Sequence, residues 1–175
     1  MLIAVDIASQ RLYLLRRDRR ARSWPVSTSA RGIGRRIDSY GTPTGVFRIV
    51  HKIGAGLPPG EILRDQRPIG RIAMPVEARD DLAASHWITT RILWLSGLEP
   101  GWNEGGNVDT FLRHIYIHGT ANLGMLGRPA SEGCIQMAPR AVIALFRRVG
   151  LGTPVLIIPG NGGAVAWIPG LPGES

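Results

Sequence analysis

The chain is short of thiols, of lysine and of long apolar runs, and each shortage removes a class of protein. Cys134 is its one cysteine. A single thiol forbids an internal disulfide and a zinc site built on several thiolates. No apolar run approaches the roughly 20 residues that carry a helix across a bilayer. The opening, Met1 to Arg20, does not read as a secretory signal, because Asp6, Gln10 and Arg11 interrupt the apolar residues and the arginines come late. Paired Cys and His at finger spacing are missing, as is an aromatic RNA-binding pattern, so no nucleic-acid partner is expected. No repeat of fixed period is visible.

What is present describes a folded domain. The 175 residues suffice for one core, and 44% hydrophobic against 19% charged residues disfavours disorder. The net charge is +8 and Lys52 is the single lysine, so the basicity is carried by arginine. A basic balance suits nucleic acid, anionic lipid or an anionic polymer. The Arg16–Arg22 cluster reads as a solvated hairpin end.

Partly alternating apolar and polar residues predict strands at Leu2–Asp6 and Arg11–Leu15 around the turn Ile7–Gln10. Ser23–Ser29, Ile88–Leu95 with a buried Trp94, His114–His118 and Thr153–Ile158 read as further strands. Thr42-Pro43-Thr44-Gly45 reads as a turn opening a strand to Val50, with Val46, Ile49 and Val50 pointing to the core. Gly32–Gly45, Gly54–Gly60 and Gly97–Asn107 are rich in chain breakers and read as loops. Helical spacing is clear once, at Val142, Leu145, Phe146 and Val149. Pro139 suits the first turn of that helix, Arg147 and Arg148 its C-terminal end, and Gly150 its stop. The expectation is a mainly β domain over residues 1–158 with one principal helix, Pro139–Val149, and a Gly/Pro-rich tail over residues 159–175.

The chemistry concentrates in Ile115-Tyr116-Ile117-His118-Gly119-Thr120 and in Gly127-Arg128-Pro129-Ala130-Ser131-Glu132-Gly133-Cys134-Ile135-Gln136-Met137. A thiol nucleophile must lose its proton, and a neighbouring imidazole is the usual base. His118 stands at the end of a predicted strand, and Cys134 follows a Gly-containing turn, so both side chains can reach a cleft. Peptide N–H groups around Gly133 can converge as an oxyanion hole, and Gly133 presents no side chain to block approach. A Cys and a His at this spacing are common without any chemical relation.

The whole block resembles the L,D-transpeptidase (YkuD-type) catalytic domain. His118-Gly119-Thr120 and the Gly-x-Pro-x-Ser-x-Gly-Cys-Ile-x-Met run carry the likeness. Asp6 with Gln10-Arg11-Leu12, Thr42-Pro43-Thr44-Gly45 and Gly152-Thr153-Pro154-Val155 extend it from Leu2 to Ile158. The resemblance implies a β-sandwich-like domain that transfers an acyl group between peptidoglycan stem peptides, donor and acceptor, without a metal or organic cofactor and as a monomer. It implies Cys134 as nucleophile, His118 as base and then acid, and the Gly119 carbonyl as the group that orients the imidazole. The N–H groups of Glu132, Gly133 and Cys134 would form the oxyanion hole, with Ser131 and Gln136 near the donor. Attack at the L-centre of diaminopimelate releases D-alanine; an amine then gives a 3→3 cross-link, and water gives L,D-carboxypeptidase activity. The substrate implies the periplasm or cell envelope, whereas the opening residues leave the cytoplasm open.

Two departures stand out. Glu132 occupies a place where the family often has His, and Gln136 one where it often has Arg. A carboxylate facing the site raises a thiol pKa. Losing a guanidinium removes a bidentate carboxylate clamp. Three rival readings accompany the main one. Cys134, His118 and His114 can be read as metal ligands, but no fourth ligand is in view. Ser131 can be read as a second nucleophile, but no second His matches it. A non-catalytic peptidoglycan-binding module remains the alternative of a different class. His51, His86 and His114 carry no motif and read as surface or satisfied histidines. If His114 shares the strand of His118, both side chains lie on one face, at the rim of the cleft.

Overall fold

The computed structural model describes residues 1–16, 19–76 and 87–160. Its framework is ten strands: β1 (Leu2–Asp6), β2 (Arg11–Arg16), β3 (Arg19–Pro25), β4 (Gly45–Ile53), β5 (Glu61–Arg64), β6 (Arg67–Ile72), β7 (Thr89–Gly97), β8 (Tyr116–Gly119), β9 (Ile135–Met137) and β10 (Pro154–Ile158). Among the described residues one α-helix occurs, α1 (Pro139–Phe146). The strands form one curled sheet in the order β3-β2-β1-β10-β4-β7-β5-β6, with β8 attached to β7 and β9 to β8. Just past β3, Ser27 bridges to Gln136 of β9, so the far end of the sheet returns to its beginning. This mainly β architecture with a single helix agrees with the expectation.

The curl encloses one principal core. Ile3 and Val5 from β1, Phe47 and Ile49 from β4, Leu93 and Leu95 from β7, Ile117 from β8 and Val155 and Ile157 from β10 are all at most 1% exposed. β7 is buried along nearly its whole length because β4, β5 and β8 all pair with it. Helix α1 lies against β7 and β8 and contributes Val142, Leu145 and Phe146 to the same core.

Several boundaries differ from the sequence expectation, each for a local reason. The third strand is Arg19–Pro25 rather than Ser23–Ser29, because Pro25 lacks the N–H that would continue the ladder; Ser27 and Ser29 form isolated bridges instead. On β4 the core residues are Phe47 and Ile49, whereas Val46 is exposed and Val50 half-buried, since the β10 ladder sets the opposite phase at the strand's start. Trp94 is half-buried and stacks on Phe111. The helix ends at Phe146; Arg147 and Arg148 lie in the following turn, and Val149 still packs into the core. The Lys52 ammonium caps the carbonyls of Phe146 and Val149 at that end. Arg16 and Arg22 are exposed, as a solvated hairpin end requires. Glu61–Ser85, unreadable as periodicity, begins with the hairpin β5–β6. Residues 77–86, with His86, and the tail from 161 lie outside the described residues.

Candidate active site

β8 and β9 run parallel, with Ile117 beside Ile135 and His118 beside Gln136. Cys134 precedes β9 by one residue, so the ladder sets its sulfur against β8: the Tyr116 N–H donates to Cys134 Sγ at 3.4 Å. The thiol donates to the His114 carbonyl at 3.4 Å. Cys134 and His118 line one cavity of about 170 Å³, together with Arg113, Ser131, Glu132 and Gln136. A second cavity of about 290 Å³ adjoins it, lined by Asp38, Tyr40 and Leu112 and sharing Arg113, His114, Ile115 and Glu132 with the first.

His118 is 3% exposed, and its Nδ1 lies 2.8 Å from the Gly119 carbonyl. A carbonyl can only accept, so Nδ1 carries the hydrogen and Nε2 keeps its lone pair. Burial pushes the imidazole pKa down to about 4, against a smaller opposing effect of the Gly119 carbonyl. Burial pushes the Cys134 thiol up to about 11; the Tyr116 N–H and Arg113 pull it down, and Glu132 pushes it further up. At neutral pH the resting pair is therefore a neutral thiol beside a neutral imidazole.

The turn before Cys134 is held from inside. Ser131 Oγ donates to the Cys134 carbonyl at 2.6 Å and accepts the Gly133 N–H at 3.3 Å. Thr42 Oγ1 donates to the Gly133 carbonyl at 3.0 Å and accepts the Ser29 N–H at 3.0 Å. Gly133 has φ +123°, and a Cβ there would stand 3.2 Å from Ile115 Cδ1 and 3.3 Å from the Gly41 carbonyl. Both the backbone angle and the space select glycine. A Cβ at Gly119 would come 2.7 Å from the Thr89 carbonyl, so that glycine is set by close strand packing.

The L,D-transpeptidase catalytic domain model matches residues 1–157. The chain belongs to this family. Among curated proteins none matches the sequence. Solved L,D-transpeptidases share the fold at low identity. One from Mycobacterium smegmatis is 16% identical at a TM-score of 0.53, covering 90% of this chain and 58% of its own. L,D-transpeptidase 3 from Mycobacterium tuberculosis, in complex with a faropenem-derived adduct, is 16% identical at 0.51, covering 89% and 59%. Another from Mycobacterium tuberculosis H37Rv is 13% identical at 0.52, covering 90% and 57%. The chain thus spans under three-fifths of the length of these L,D-transpeptidases.

Within this L,D-transpeptidase domain, every residue singled out in the sequence block lies at or beside the cavity, but with different accessibility. Glu132 is exposed at the junction of the two cavities. Ser131 and Gln136 are each 3% exposed. His114 is also at the rim, by a different route from the expected one. β8 begins at Tyr116, and His114 sits outside it at φ +55°, edge-on to Trp94. Among the described residues no three His, Cys, Asp or Glu side chains are grouped to hold a metal, so Cys134, His118 and His114 do not form such a set. Nor is any described helix long and apolar enough to cross a membrane. Sequence reasoning missed Arg113 and Thr42 as parts of the site. An arginine in a loop and a threonine in a turn have no local signature, because Gly41 and Gly133, the partners that tie them to the site, are 72 and 91 residues away in the chain.

Proposed function

We propose that the chain is a peptidoglycan L,D-transpeptidase in which Cys134 is the nucleophile and His118 the general base. The observation that carries this reading is the shared cavity: a thiol and an Nε2 lone pair, the imidazole fixed through Nδ1 by Gly119. Because both groups rest neutral, the proton moves as the bond forms. The S–H first leaves the His114 carbonyl, to which it donates at 3.4 Å, and turns to Nε2 across the shared cavity. Sγ then attacks the acyl carbonyl at the L-centre of diaminopimelate. The C–N bond breaks, the imidazolium gives its proton to the departing amine, and D-alanine leaves. The neutral imidazole next takes a proton from the acceptor amine, which displaces the thiolate and gives a 3→3 cross-link, and the imidazolium returns that proton to the Cys134 sulfur; water in place of the amine gives a carboxypeptidase.

The oxyanion is received by the amides of Glu132, Gly133 and Cys134. The Gly133 amide reaches Ser131 Oγ only at 3.3 Å, a long bond that can be shared with a developing anion. Ser131 thus acts by shaping the turn, and Gln136 forms the inner wall of the donor cavity. The donor and acceptor stems would occupy the two adjoining cavities, in the periplasm or cell envelope where peptidoglycan lies.

The test is incubation with a disaccharide-tetrapeptide and mass analysis of the products. Cross-linked dimer with released D-alanine is expected, and Cys134→Ala should lose a thousandfold or more, the usual scale for a nucleophile. Product formation undiminished in Cys134→Ala would overturn the assignment.

A further inference from the structure

We propose that Arg113 is a positioning residue of this site, holding the loop from Gly34 to Gly41 against the nucleophile turn and presenting a fixed positive charge to Cys134. This rests on the reading of Cys134 as nucleophile. Arg113 is half-buried and donates four hydrogen bonds into one loop: Nη1 to the carbonyls of Gly34 at 3.1 Å and Arg35 at 2.9 Å, Nη2 to Ser39 Oγ at 3.2 Å and the Gly41 carbonyl at 2.7 Å. A guanidinium has five N–H donors, four of them on Nη1 and Nη2. With those four engaged, Arg113 cannot also clamp a substrate carboxylate in bidentate fashion. Its charge is not consumed by the carbonyls and still acts through space.

The loop needs such a clamp. Its two ends pair with each other, Gly34 N–H to the Thr42 carbonyl and Thr42 N–H to the Gly32 carbonyl, but between them regular pairing stops. Asp38 and Tyr40 sit at φ +61° and +53°, where side-chain-bearing residues go only when the surroundings impose it. The clamped end is the end that touches the nucleophile turn. The Gly41 carbonyl, held by Arg113, closes on Gly133, and neighbouring Thr42 bonds the Gly133 carbonyl.

The charged and titratable groups around Cys134 are few. Arg113 and His114 face it from the loop before β8, His118 from β8, and Glu132 from its own turn; Tyr116 meets the sulfur through its amide. Arg113 is the one permanent cation of this set. Its charge lowers the thiol pKa, and Glu132 opposes it.

Arg113→Gln and Arg113→Lys separate the two roles. In the range pH 7.5–9 the alkylation rate follows the thiolate fraction, well below the thiol pKa. Iodoacetamide should therefore alkylate Cys134 about three to ten times more slowly at pH 8 in Arg113→Gln. Arg113→Lys keeps the charge but cannot span four acceptors, so alkylation at pH 8 should stay within about twofold of wild type while kcat/KM falls about tenfold. Ser39→Ala, which removes one loop contact and no charge, should follow Arg113→Lys in a milder form and tests the clamp with it; if Arg113→Gln does not fold, Arg113→Met carries the charge test with the same expected slowing. Equal alkylation rates in wild type and Arg113→Gln, or equal slowing in both Arg113 variants, would overturn the charge role. Unchanged kcat/KM in Arg113→Lys would overturn the clamp. A wild-type protein inactive on muropeptides, yet with the alkylation shift intact, would refute the proposed function and leave the positioning role standing.

Discussion

The strands that carry the core and the loops that carry the cavity are held together by different bonds. Around Phe47, Leu93 and Val155 each strand is paired on both sides by backbone ladders, and the side chains have only to be apolar and fit. Around Cys134 the backbone has few regular partners. There the Thr42 side chain joins residues 29–42 to 131–134 and the Arg113 side chain joins them to 109–115, while the Ser29 and Ser131 hydroxyls brace their own segments. Asp38, Tyr40 and His114 all take positive φ in these loops. Ladders tolerate substitution of any one side chain, whereas a network of single hydroxyls and one guanidinium loses a fixed geometry with each deletion. Changes in the first region should therefore register mainly as stability, and changes in the second mainly as rate.

The largest stability effect is expected from the first region. Phe47→Ala removes a fully buried ring from the centre of the sheet and should cost about 3–5 kcal/mol by denaturant unfolding. Specific activity per folded molecule should change little. A loss below about 1 kcal/mol would mean that the ring is not part of a packed core.

His118 belongs to both regions, since it is on a strand and in the cavity. Its pKa of about 4 in the fold lies below the ordinary value of 6.5. The unfolded chain therefore takes up this proton first as pH falls. Stability from the neutral imidazole is present above pH 6.5 and is lost as pH falls through about 4, a span worth about 3 kcal/mol. Unfolding midpoints measured at pH 7 and pH 4 should fall apart in wild type and converge in His118→Gln. Equal pH dependence in the two proteins would place the proton elsewhere.

Thr42→Val sharpens the comparison, because it deletes one hydroxyl from the cavity region and leaves the volume unchanged. Two buried backbone groups, Ser29 N–H and the Gly133 carbonyl, lose a partner, for about 1–2 kcal/mol of stability. The fall in kcat should exceed what that loss of folded protein explains. Activity that merely tracks the folded fraction would show that the turn does not depend on Thr42.

The smallest effect is expected at Gln136. A guanidinium reaching the donor cavity from this position adds charge-assisted contacts to a stem carboxylate, roughly 1.5–3 kcal/mol against about 1 for neutral ones. Gln136→Arg should lower KM for a tetrapeptide donor by about tenfold at most, less the cost of seating an arginine where the native side chain is 3% exposed. A raised KM would indicate that a side chain at this position does not reach the donor carboxylate.

The same contrast explains what could be read from the sequence. β1, β2, β10 and the helix at Pro139 announce themselves through periodicity, because burial of one face leaves its mark on every second or every third and fourth residue. The Cys134 block is legible as a motif because its residues are contiguous. The phase of β4, with Phe47 rather than Val46 inside, depends on register with β10, which no local pattern encodes. Arg113 is invisible for the same reason: four acceptors in a loop more than 70 residues upstream give it its role. His114 shows the converse. It stands near the cleft, but through a left-handed backbone turn ahead of β8 rather than through strand alternation.

The central claim, that Cys134 carries the acyl group with His118 as its base, is tested most directly by trapping the acyl-enzyme. Brief incubation with a tetrapeptide donor in the absence of acceptor should be followed by acid quench and peptide mapping. The predicted result is an acyl mass on the peptide containing Cys134, absent in Cys134→Ala and formed at least a hundredfold more slowly in His118→Ala, in line with about 10²–10⁴ for a general base. An adduct that persists in Cys134→Ala, for instance on Ser131, or one that forms at the wild-type rate without His118, would contradict the account.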